Sequence, residues 1–60
     1  MTDSELLQAI INQNDWTQEQ LAEHLLFDRS QVSRVINKKI ALRPVVRKKA
    51  ERLFEQTKQE

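Results

Sequence analysis

Apolar positions along this chain recur on a helical period, and nowhere do they alternate with period two for long enough to make a strand. Leu6, Leu7, Ile10 and Ile11 fall at i, i+1, i+4 and i+5, a single stripe down one side of a helix. Asp3 or Ser4 is placed to cap its start, and the turn formers from Asn12 to Asp15 end it. A second stripe, Leu21, Ala22, Leu25 and Leu26, follows the run Trp16-Thr17-Gln18-Glu19-Gln20. There Thr17 can cap the free N–H groups while Gln20 reaches back to the Thr17 N–H, and Trp16 and Leu21 are spaced as a hydrophobic staple. This is the sharpest local signal in the chain.

A third segment, 28–37, opens on Asp28-Arg29-Ser30-Gln31, which repeats the capping pattern, and gathers Val32, Val35 and Ile36 on one side. The fourth begins at Pro44, preorganised for a first helical position, and runs to about Gln56 with Val45, Val46, Ala50, Leu53 and Phe54 on its apolar side. Trp16 and Phe54 complete apolar stripes and are read as core, whereas His24, beside Leu25, is read as surface or boundary. The fold class predicted is all-α, a compact bundle of four helices in one domain over 1–60, with frayed last residues.

Composition narrows the chemistry. The 60 residues include no glycine and no cysteine, where about four glycines would be usual. Glycine-rich phosphate loops, disulfides and thiolate metal sites are therefore excluded, and one histidine does not build a metal site. No cofactor is expected. Glu19 and Glu23 stand four apart on a helix with no partner base, so catalysis is not expected either. No run approaches a membrane span and no secretory leader is evident, which predicts a cytoplasmic protein without membrane or small-molecule partners.

Charge changes the picture more. The net charge is only +1, but residues 1–28 carry six acids and no base, while 29–52 carry nine bases against Glu51. A charge run is ordinarily just a solvated face. Here it begins on the third helix, whose outward side holds Ser30, Ser33, Arg34 and Asn37 with Arg29 and Gln31 on its flanks, and no acid. A major-groove helix needs that chemistry, because Arg pairs bidentately with guanine and Ser or Gln reach several base edges.

Residues 16–37, from Trp16 to Asn37, resemble the helix-turn-helix of the phage repressor and Cro family, also called the XRE family. The matching features are Thr17-Gln18-Glu19 followed by Leu21-Ala22, the small Ala22 where two helices cross, and Val32 and Val35 behind the recognition helix. Asn37 with its following lysines, and Arg43-Pro44 opening the next helix, extend the likeness to roughly residues 5–54. The resemblance implies a lambda repressor-like DNA-binding fold lacking the fifth helix, with the helix-turn-helix at about 17–37. It implies base reading by Arg29, Ser30, Ser33 and Arg34, and backbone contact by Gln18 and Asn37. Gln31, Lys38, Lys39 and Arg43 are added as backbone contacts from their places at the flank and exit of that helix.

The function expected is a sequence-specific regulator of transcription, a Cro-like repressor occupying a palindromic operator in double-stranded DNA. A chain this small gains specificity by acting as a homodimer on two half-sites. Ile40, Leu42 and the edge of the fourth helix are the expected pairing surface. The alternative is a protein-interaction module, an antitoxin or accessory factor, whose basic helix 44–56 docks on an acidic partner; a helix lying on anionic lipid is the weakest reading. Leu26 and Lys38 stand where this family usually has glycine, which marks both turns as places where a left-handed residue is wanted.

Overall fold

Thr2, rather than Asp3 or Ser4, starts the first helix: its hydroxyl accepts from the Glu5 N–H at 3.2 Å and the Glu5 carboxylate accepts from the Thr2 N–H at 2.9 Å. The cap falls one residue earlier than expected because both later candidates are used elsewhere, as described below. The computed structural model describes residues 1–58 and contains α1 (Asp3–Asn14), α2 (Gln18–Leu25), α3 (Arg29–Ile36) and α4 (Pro44–Thr57). No strand occurs among the described residues, and the molecule is an all-α bundle of four helices. Beyond Lys58 the expected fraying lies outside the described residues.

The capping box at Thr17 and Gln20 forms as expected and fixes the start of α2. Its counterpart at α3 does not form. Asp28 occupies the N-cap in extended conformation, yet its side chain makes no cap hydrogen bond, and Gln31 is half-buried instead of folding back over the first turn. Pro44 sits in the first turn of α4, where its missing N–H costs nothing.

The first three helices end alike. Asp15, Leu26 and Lys38 each take a left-handed conformation, with φ of 55°, 55° and 62°. In each case the following N–H reaches back five residues: Trp16 to the Ile11 carbonyl, Phe27 to Ala22 and Lys39 to Arg34. This Schellman closure satisfies carbonyls that a helix end otherwise leaves without partners. Glycine usually supplies the left-handed residue, and a non-glycine residue there costs about 1 kcal/mol. Leu26 is 83% exposed, so it is not part of the α2 stripe; the helix ends before its side chain can turn inward.

The core lies where all four helices meet. Leu7 and Ile10 from α1, Leu21 and Leu25 from α2, and Val32 and Val35 from α3 are fully buried. Burial of each contributes about 1.5–3 kcal/mol. Two small residues, Ala22 and Ala50, are also buried and allow close approach of α2 and α4 to their neighbours. Trp16, Ile36, Val46, Leu53 and Phe54 pack around this centre half-buried. Two expectations fail here. Val45 is 69% exposed because α4 turns its Val46–Ala50–Leu53 side inward, and Leu42 is buried in the core instead of lying on a pairing surface.

Polar ties across long stretches of sequence fasten the frame. The Ser4 hydroxyl donates to the Ile36 carbonyl at 2.7 Å, so α1 supports the end of α3. The Asp3 carboxylate accepts from the Leu42 N–H at 2.9 Å and from the Arg47 guanidinium, which also donates to the Met1 carbonyl at 3.0 Å and pairs with Glu51 at 3.3 Å. At the other end, Gln13 and Asn14 both donate to the Thr57 hydroxyl at 2.8 Å, and that hydroxyl donates to Leu53 at 2.7 Å. Its one proton and two lone pairs are all used.

Candidate nucleic-acid interface

The short turn Leu26–Asp28 brings the start of α2 against the outward side of α3. Between them is an open depression of about 690 Å³ lined by Thr17, Gln18, Glu19, Arg29, Ser30, Ser33 and Arg34. All four residues expected to read bases, Arg29, Ser30, Ser33 and Arg34, border this one surface, and Gln18 faces them from α2. Val32 and Val35, on the opposite side of α3, are fully buried. The division of α3 into an anchored apolar side and a free polar side follows from about 100° of rotation per residue.

The free side has spare hydrogen-bonding capacity. Among the described residues, the side chains of Gln18, Arg29, Ser30 and Arg34 enter no hydrogen bond, and Arg29 and Arg34 enter no ion pair. Both arginines and Ser30 are exposed, while Gln18 and Ser33 are half-buried. Glu19 is the single acid on the rim, against two arginines. Because the first turn of a helix has unpaired N–H groups, the start of α2 adds positive potential beside Gln18.

The remaining site expectations distribute differently. Asn37 is exposed at the end of α3, but its side-chain amide is folded onto Ser33, donating to the carbonyl at 2.9 Å and to the hydroxyl at 3.3 Å. Asn37 therefore helps to hold Ser33, whose hydroxyl keeps its own proton for an outside acceptor. Gln31 lies outside the depression, half-buried on the flank. Lys38 and Lys39 border a second hollow of about 410 Å³, with Thr2, Asp3, Ser4, Val35, Ile40 and Ala41. Arg43 is exposed at the N-cap of α4.

The basic block is thus not one surface. Arg47 is drawn into the Asp3 and Glu51 pairs, and among the described residues it is the one base engaged in ion pairs. Sequence reading missed this role, since nothing local links positions 44 apart. It also missed a stack of Trp16 on His24, with ring centroids 4.1 Å apart and planes within 5°. Trp16 packs against the core as expected, and its ring also spans to the last turn of α2.

No cluster of three or more metal-ligating side chains occurs among the described residues, and no helix among them is long and apolar enough to cross a membrane. Comparison of the chain with family models, with curated proteins and with solved structures finds no match.

Proposed function

We propose that this chain is a sequence-specific binder of double-stranded DNA that regulates transcription, a Cro-like repressor placing α3 in the major groove of a palindromic operator. The observation that carries the reading is the convergence of Arg29, Ser30, Ser33, Arg34 and Gln18 on one open surface, with donors unspent and the reverse side of α3 locked into the core. A face whose hydrogen bonds are unmade inside the molecule, on a helix that cannot rotate, suits the reading of base edges.

In this reading Arg29 and Ser30, in the first turn of α3, meet the bases, with Ser33 and Arg34 one turn further along. Gln18 at the start of α2 meets phosphate from one side, and Lys38, Lys39 and Arg43 meet it from the other. Gln31 serves the backbone only at the edge of the contact. Two copies on half-sites about 34 Å apart supply the specificity that one short helix lacks. Occupying a promoter in this way requires no catalytic group.

The alternative docking of basic helix 44–56 on an acidic partner is weakened by the same geometry. Arg47 is already paired, and Glu51 and Glu55 interrupt the exposed side of α4.

Selection from a random duplex pool, followed by a salt titration on the selected site, tests the proposal. If five phosphates are neutralised per protomer, log affinity against log salt falls with a slope of about −4.5 per protomer. A palindromic consensus supports the reading. The absence of saturable duplex binding at low salt removes it.

A further inference from the structure

The outward side of α4 is written in two columns of charge that complement themselves. Relative to the buried Ala50, Lys48, Arg52 and Glu55 lie within about 40° of the opposite side of the helix, and Glu51 lies at its edge at about 100°. Together with Gln56 they line a shallow trough of about 440 Å³. Lys48 and Arg52 form one column four residues apart, and Glu51 and Glu55 form the other.

Inside the chain this arrangement is poorly used. Neither Lys48 with Glu51 nor Arg52 with Glu55 forms an ion pair, although each acid follows its base by three residues; Glu51 instead holds Arg47. Like charges four apart oppose the helix they stand on. A second copy of α4 laid antiparallel across the trough changes this. A twofold axis between positions 51 and 52 carries Lys48 onto Glu55 of the other copy and Arg52 onto Glu51, and symmetry repeats both pairs. A parallel arrangement sets Lys48 against Lys48 and Glu55 against Glu55, so the charges select one orientation.

We propose that the outward face of α4 pairs with the same face of a second copy of this chain, antiparallel, through Lys48–Glu55 and Arg52–Glu51. The inference does not rest on the DNA reading, since the pairing is measured without nucleic acid. The face is charged and small, well below the roughly 1,200 Å² of buried surface typical of a stable complex. Exposed ion pairs each contribute little, so the association is weak and sensitive to salt. Val45, exposed at the near end of the same side, joins the edge of the contact, whereas Ile40 and the buried Leu42 take no part.

The test is sedimentation equilibrium of the full chain, from micromolar to about millimolar, in about 20 mM and about 500 mM salt. Molar mass is expected to rise towards two chains at low salt and to return to one at high salt. Lys48→Glu alone and Glu55→Lys alone each place like charges across the axis and are expected to weaken pairing at least tenfold. Mixing these two variants restores every attraction and is expected to recover association as a heterodimer, as is combining both substitutions in one chain. Circular dichroism checks folding, since both positions are exposed and tied to nothing in the chain. A chain that stays monomeric at millimolar concentration and low salt overturns the proposal. So does a dimer indifferent to the reversals, or one not recovered by mixing.

Discussion

The α1–α4 pair and the α2–α3 pair treat their polar side chains in opposite ways. Between α1 and α4, polar groups are used within the molecule: Asp3 holds Leu42 and Arg47, and Gln13 and Asn14 converge on Thr57. Between α2 and α3 the contact is apolar, through Leu21, Leu25, Val32 and Val35, and the polar groups face out unused. The difference separates what keeps the fold from what is offered to a partner. It also divides arginines that composition alone treats as equivalent, since Arg47 is structural and Arg29 and Arg34 are available.

The most severe way to break this division is Asp3→Ala. It removes the acceptor for a nearly buried Leu42 N–H and one of the two anions facing a half-exposed Arg47. The expected loss is about 2–3 kcal/mol, reduced from the fully buried case because both charged partners retain some solvent. In a domain of this size that lowers Tm by about 10 °C or more in a calorimetric scan. Affinity for DNA at a temperature where the variant remains folded is expected to change less than twofold.

Arg29→Ala is the mirror experiment. Thermal stability is expected to move by less than about 0.5 kcal/mol, as for a surface side chain without partners, while affinity for the selected site falls by about 1–3 kcal/mol with relaxed preference at one base pair. Binding assays on selected and random duplexes separate this from Lys39→Ala, which is expected to weaken both alike. Equal losses on the two duplexes for Arg29→Ala remove that residue from the base-reading set.

The turn joining α2 to α3 permits a sharper test at lower cost. Leu26→Gly relieves a left-handed leucine whose side chain is already exposed, and is expected to stabilise the chain by about 0.5–1 kcal/mol in urea unfolding. The gain is held below the full conformational cost because glycine also loosens the unfolded chain. A destabilised variant shows that Leu26 makes a contact that its exposure does not reveal.

The smallest effect lies at the first cap. The Glu5 carboxyl is held below its ordinary value, first by the Thr2 backbone N–H that it accepts and then by the Thr2 side chain. A carboxyl lowered by folding stabilises fully above its unfolded value and loses that contribution as pH falls through the folded one. Glu5→Gln is therefore expected to flatten slightly the acid side of a stability-against-pH curve and to leave the plateau above pH 6 parallel to the parent.

Local signals served well where the physics was local. Thr17 and Gln20 are three residues apart, and the box they form needs nothing else from the fold. The split of α3 into Val32–Val35 and Arg29–Ser30–Ser33–Arg34 follows from rotation alone and was legible for the same reason. Asp28 and Gln31 carry the same local pattern, but Gln31 lies half-buried against its surroundings, and tertiary packing prevails over the cap. Asp3 with Arg47 was not legible, because pairs 44 residues apart leave no periodic trace. Leu42 sits in a connection that has no period at all, so its burial is decided by the Asp3 hydrogen bond and the closing of α4 over it. Asp15 was readable only as a turn former, whereas its left-handed state matches the tolerance of aspartate for that region.

The stack of Trp16 on His24 makes the molecule its own optical instrument. The chain has one tryptophan, and its ring lies beside the cap that places Gln18 on the open surface. Indole emission therefore reports from a single known position, without an attached dye. A ligand that seats against the start of α2 disturbs that signal, while one confined to the far side of α4 leaves it unchanged. The two surfaces of this small chain can thus be followed separately in one cuvette.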